Sequence, residues 1–212
     1  PKGWTVTSGG TAMYHSIRVQ DPSQPLNQMF VLLKAEGLLH SQEGKDAYAY
    51  NVTMGNTWAQ MLSQAPVLTT PSTENFFKLF SEYAAFVEQW EPSYAGYTFP
   101  RFDGFAVTDR FASASLLSSY ALGEETLRAS FTENGKEGEG MFAASVVDFG
   151  SVDIAAGLPV GYIIPRADGG YYMAYNVMAV TAAKDTFIEW ESVLTKCLGT
   201  LAYSESFVKA TE

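Results

Sequence analysis

The sequence predicts an α+β fold in a single domain over residues 1–212, built as a mainly antiparallel sheet with helices packed on it. Three observations predict it. Residues 124–150 hold two β-patterned runs joined at Asn134-Gly135, a dipeptide that tolerates the positive φ angles of a tight turn and so marks an antiparallel hairpin. The second run, 141–149, is apolar almost throughout. A strand apolar on both faces needs cover on both sides, which puts the hairpin inside the sheet with helices against it. The order along the chain is strands, helices, strands and a closing helix, with short turns that favour antiparallel pairing. No linker rich in Pro, Ser or charge divides the chain.

The elements follow in order. A short β-like run at 4–7 ends at Ser8-Gly9-Gly10, and alternation resumes at 13–20, with Met13, His15, Ile17 and Val19 on one side. Asp21-Pro22-Ser23-Gln24-Pro25 is turn chemistry, and residues 28–33 read as the returning strand of a three-strand meander. A helix is expected over 41–54, with Ser41 as N-cap and Glu43 in the first turn, where negative charge suits the dipole. Residues 55–69 are less regular. Thr70-Pro71 marks a second helix start, because a proline at the first helical position loses no hydrogen bond. Its buried stripe is Phe76, Phe80, Tyr83, Ala84, Val87 and Trp90 at three- and four-residue spacing.

Residues 90–105 form an irregular segment in which Trp90, Tyr94, Tyr97, Phe99, Phe102 and Phe105 are interleaved with Pro, Gly and Ser. A strand at 105–113 follows, then 114–123, which fits neither pattern, and then the hairpin. Within 150–170 the prolines and glycines indicate a loop, with a short apolar strand at 160–164. Residues 171–180 are β-branched and aromatic enough to be an interior strand. The last helix presents Phe187, Trp190, Val193, Leu194, Cys197, Leu198 and Leu201 on one face. Trp90 and Trp190 are expected to be largely buried.

Composition excludes several functions. Thirteen Lys and Arg against 23 Asp and Glu give a net charge of −10, a field that repels nucleic acid and anionic membrane. The single cysteine, Cys197, rules out an intrachain disulfide and a cysteine-rich metal site. No apolar run is long enough to span a bilayer. The chain begins at Pro1 without a signal peptide, and the expectation is a trimmed or mature fragment whose preceding segment carried the address.

Several segments carry a resemblance: Pro1-Lys2-Gly3-Trp4, Asp21-Pro22 through Gln28-Met29-Phe30, Ser41-Gln42, Leu127-Arg128-Ala129 through Gly138-Glu139-Gly140-Met141-Phe142, and Thr181-Ala182-Ala183-Lys184. Together the chain resembles a group of uncharacterised secreted lipoproteins of gut Firmicutes, whose pattern is similar to the PsbP-like fold. The resemblance implies an α/β/α sandwich, an antiparallel sheet between helices, in an extracellular or cell-envelope setting with a lipid anchor. It carries over no catalytic residue, and the lipobox cysteine it requires lies outside this sequence.

No motif for chemistry stands out. His15 and His40 lack metal-ligand spacing, and Cys197 sits on an apolar helical stripe, where a thiol behaves as a small hydrophobe. Gly135-Lys136-Glu137-Gly138-Glu139-Gly140 lacks phosphate-loop spacing and carries two glutamates that repel anions. Acidic pairs for glycoside hydrolysis are available among Glu88, Glu91, Asp103 and Asp109, as in any acidic chain. The sequence thus assigns no catalytic residue, metal or cofactor. Two function classes remain: a non-enzymatic binding or scaffold module for a small molecule, glycan or protein, and a glycan- or ester-directed hydrolase with an unrecognised carboxylate or His site.

The 90–105 segment is the candidate ligand site, with Tyr94, Tyr97, Phe99, Arg101 and Asp103 as ligand-binding residues. On that reading at least two of the three rings face solvent near Arg101, giving contact area at low entropic cost. The alternative is that the rings tuck over the sheet as a lid on the core.

Overall fold

The computed structural model describes residues 2–155, 166–205, 207 and 209. Seven strands form one antiparallel sheet: β1 (Thr5–Gly9), β2 (Ser16–Gln20), β3 (Gln28–Leu39), β4 (Asp103–Ala112), β5 (Ala121–Glu133), β6 (Lys136–Gly150) and β7 (Tyr171–Ala183). Their order is β1-β2-β3-β7-β6-β5-β4, so the last strand enters the middle and joins the N-terminal meander to the β5–β6 hairpin. The helices are α1 (Gln42–Thr53), α2 (Thr73–Trp90) and α3 (Phe187–Leu198). The hairpin is interior, as its apolarity requires, and its turn has Asn134 at φ 52° and Gly135 at φ 76°.

Side-chain alternation sorts the two faces. On one, Phe30 and Leu32 of β3, Leu127, Ala129 and Phe131 of β5, and Phe142, Ala144 and Val146 of β6 pack against the buried stripe of α2. Rings fill this layer edge to face, with Phe142 at 4.9–5.8 Å from Phe77, Phe102, Phe105 and Phe131, the geometry that aromatic quadrupoles favour. On the other face Met29, Val180 and Leu194 are buried, with Met141, Trp190 and Cys197 packed against them. Helices therefore cover both faces. Among the described residues no helix is long and apolar enough to cross a membrane.

Several boundaries differ from the sequence reading. Residues 12–14 are a 3-10 turn, so β2 begins only at Ser16. The strand expected to end at Leu33 continues to Leu39, because Gly37 takes a φ of 83° and supports a bulge between Ala35 and Leu38; bulges bend a strand without ending it. The N-cap of α2 is Ser72, not Thr70: its Oγ accepts from Asn75 N at 3.1 Å, leaving Pro71 outside the helix. Residues 116–120 are turns that lead into β5 at Ala121. The last helix ends at Leu198, short of Leu201. The strand expected at 160–164 lies outside the described residues.

Trp90 and Trp190 are each more covered than open, though neither is fully enclosed. Trp190 rests against the ring of Trp4, with centroids 5.6 Å apart, over a thin apolar layer open at its rim. The expected cost of Trp190→Ala is therefore about 2–3 kcal/mol by area, below that of a fully buried tryptophan, and urea denaturation checks it.

Candidate functional site

The 90–105 segment closes the core. Tyr94, Tyr97 and Phe99 are 2%, 6% and 1% exposed, so the expected platform of solvent-facing rings does not exist. The cause is a set of partners distant in sequence. Tyr97 Oη shares a hydrogen bond with Ser16 Oγ at 2.7 Å, Tyr94 Oη donates to the Tyr14 carbonyl, and Phe99 stands edge-on to Tyr94 and Tyr97. Burial pushes the Tyr97 hydroxyl up to about 12, against the opposing pull of Ser16 and Arg18. Arg101 binds Glu88 through both guanidinium ends, at 2.6 and 3.2 Å. Its backbone N–H donates to Glu133. Asp103 is exposed at the start of β4. The five residues thus share no solvent-facing surface.

Tyr94 does line a cavity of about 320 Å³ on the α2 face, beside β3. Its lining includes Tyr83, Phe86 and Val87 of α2, Gly37 of the β3 bulge, Tyr171 of β7, and Trp58, Met61 and Leu62 of the α1–α2 connection. Trp58 and Met61 are 56% and 42% exposed, so the cavity opens past them. The lining also includes Tyr14, Glu36, Trp90 and Glu91. Its volume lies at the lower end of ligand pockets, about 300–1,000 Å³, and its walls are mostly side chains of regular elements.

Glu36 is the polar centre. Its Oε2 accepts from Tyr14 Oη at 2.6 Å and pairs with Lys34 Nζ at 2.6 Å, while Oε1 accepts from Tyr171 Oη at 2.8 Å. Burial opposes ionisation of Glu36, but hydrogen bonds from Lys34, Tyr14 and Tyr171 outweigh it and hold the carboxyl below its usual range. The same burial, with the neighbouring carboxylate, raises Tyr14 and Tyr171. Both phenols stay protonated at neutral pH and direct their O–H bonds at Glu36. Glu91 has no basic partner among the described residues; its Oε1 accepts only from Ser93 N. The Trp90 indole Nε1 is buried with no hydrogen-bond partner among them.

A second polar group joins β3, β6 and β7 at the sheet end. His40 Nδ1 lies 3.0 Å from Asp168 Oδ2, and Nε2 lies 3.0 Å from Asp148 Oδ1 as an ion-pair contact without hydrogen-bond alignment. Its ring lies against Tyr172 at 4.2 Å. Asp168 also accepts from Ser151 Oγ and from the N–H groups of Val152 and Gly170. Burial raises this carboxyl, yet His40 and the two amides prevail and hold it at about 2. Its folded value lies below the unfolded 3.8, so its stabilisation is complete above about pH 4 and lost as pH falls toward 2. Asp168 is 40% exposed, so solvent screening keeps the effect below about 1 kcal/mol. Urea midpoints between pH 5 and pH 2 should fall less steeply in Asp168→Asn than in the parent.

Sequence reasoning missed Glu36, Tyr14, Trp58 and Tyr171. A signal existed: Lys34 and Glu36 form a charged pair two residues apart in an otherwise apolar strand, and so share one covered face. His15 is not a regular strand residue but caps the turn before β2 and packs against Tyr203 and Phe207. Compared with protein-family models, curated proteins and solved structures, the chain finds no match.

Proposed function

We propose that the protein is a non-enzymatic binding module whose small ligand seats in the aromatic cavity around Glu36. The carrying observation is the cavity itself: a mostly apolar recess with a few converging polar groups, open at Trp58, is the default form of a ligand site. The walls are well positioned to stay in place without ligand, since α2, β3 and β7 belong to the core. Chain charge disfavours polyanionic ligands. The resemblance to secreted lipoproteins and to the PsbP-like fold supports an extracellular or cell-envelope location with a lipid anchor.

A hydrolase finds less support. His40 is the only described histidine beside carboxylates, and both its nitrogens face them; Ser151 Oγ bonds Asp168 rather than the imidazole. A general base needs a nitrogen free to take the nucleophile's proton. The test is a fragment screen by NMR, run beside panels of ester and glycoside substrates. The expected result is hits that shift the indole signals of Trp58 and Trp90, with no turnover. Turnover abolished by His40→Ala or Asp168→Asn would overturn the proposal.

A further inference from the structure

We infer that the cavity around Glu36 recognises an organic ammonium, a small molecule with a positively charged nitrogen and an apolar body. The inference rests on the binding-module reading above and adds the chemical class of the ligand. Three features carry it.

The charged groups lining the cavity, Glu36 and Glu91, are both acidic. Lys34 neutralises Glu36 at 2.6 Å. Glu91, half-buried and with one backbone N–H as its partner, leaves a carboxylate without a counter-charge beside an apolar recess, where solvent screens an ion pair less than on an open surface. A cationic ligand supplies the counter-charge.

The neutral polar groups select in the same direction. Tyr14 and Tyr171 direct their O–H bonds at Glu36, so they offer a ligand oxygen lone pairs and ring faces rather than donors. Aromatic faces flanked by carboxylates are the chemistry that holds ammonium groups.

The molecule already contains this recognition in cis. Lys34 Nζ sits 4.4 Å from the centroid of the Tyr14 ring while its charge meets Glu36. One ammonium is thus held between a tyrosine face and a carboxylate beside the cavity, and Trp58, Trp90, Tyr94 and Glu91 in its lining supply the same kinds of group.

The test uses the full chain and three probes: choline, its neutral isostere 3,3-dimethylbutan-1-ol, and methyl α-glucoside. Choline and the isostere differ only by nitrogen for carbon, so their difference reads the charge. Isothermal titration should show choline binding at least about tenfold tighter than the isostere, the scale of one cation–π contact in a desolvated site. Glu91→Gln keeps the acceptor for Ser93 N and should remove most of that preference; Trp58→Ala, at an exposed position, should weaken choline about tenfold. Melting temperatures of both variants should stay near the parent's, which separates lost binding from lost fold. Equal affinity for choline and the isostere, or binding of the glucoside alone, would overturn the ammonium inference and leave the binding module standing. No binding by any probe would overturn the ammonium inference, and a fragment screen that also leaves Trp58 and Trp90 unshifted would overturn the binding module as well.

Discussion

Glu133→Ala is expected to lower folding stability by about 3–5 kcal/mol, the cost of leaving a buried charge without its partner. Arg18 and Glu133 pair at 2.9 Å with side chains 10% and 4% exposed. Gln28 completes the network, accepting from Arg18 Nε at 2.6 Å and donating to Glu133 at 2.9 Å. Removing the carboxylate leaves the Arg18 guanidinium buried against Gln28 and the Thr98 carbonyl alone, and it also strips Arg101 N–H of its acceptor. The effect should therefore reach beyond β5, since the 90–105 segment is fastened to this carboxylate. Urea denaturation measures it; a loss below about 1 kcal/mol would contradict the structure. Arg18→Met with Glu133→Leu should be milder than either single change, because no orphaned charge remains.

Phe77→Ala should have a comparable effect by a different mechanism. Phe77 is fully buried and meets Phe76, Phe80, Phe102, Phe105 and Phe142 at centroid distances of 5.1–6.1 Å. It therefore ties α2 to the start of β4 and to β6 at once. Truncation removes apolar contact and leaves a void that rigid neighbouring rings fill poorly, a combination that costs about 3–5 kcal/mol for phenylalanine. Phe77→Leu should recover part of the loss. A cost near that of an exposed substitution would show that α2 does not pack here as described.

The hairpin and the antiparallel order were legible because their signals are local. Asn134-Gly135 specifies its own turn, and the two-faced apolarity of 141–149 specifies cover on both sides. The strand pattern did not give the spatial order, in which β7 enters between β3 and β6; that depends on pairings such as Phe30 with Ala179 and Phe142 with Ala179. The 90–105 rings were the harder case. Rings interleaved with Pro and Gly look alike whether they face solvent or core, and here the choice is made by Ser16, Arg18 and Glu133, none of them near in sequence. The cavity was illegible for the same reason. Its walls come from β3, α2, β7 and three connecting segments, and only the Lys34–Glu36 pair left a trace along the chain. His40 and Asp168, 128 residues apart, left none.

The most direct test of the cavity's role is to fill it. Leu62 is half-buried on the cavity wall, so Leu62→Trp should occupy the recess while leaving α2 and the sheet in place. Ligands found by NMR screening of the parent should bind the filled variant at least about tenfold more weakly, as lost apolar burial and blocked access require, with its melting temperature within a few degrees of the parent's. Unchanged binding in a folded Leu62→Trp variant would place the ligand elsewhere and contradict the account.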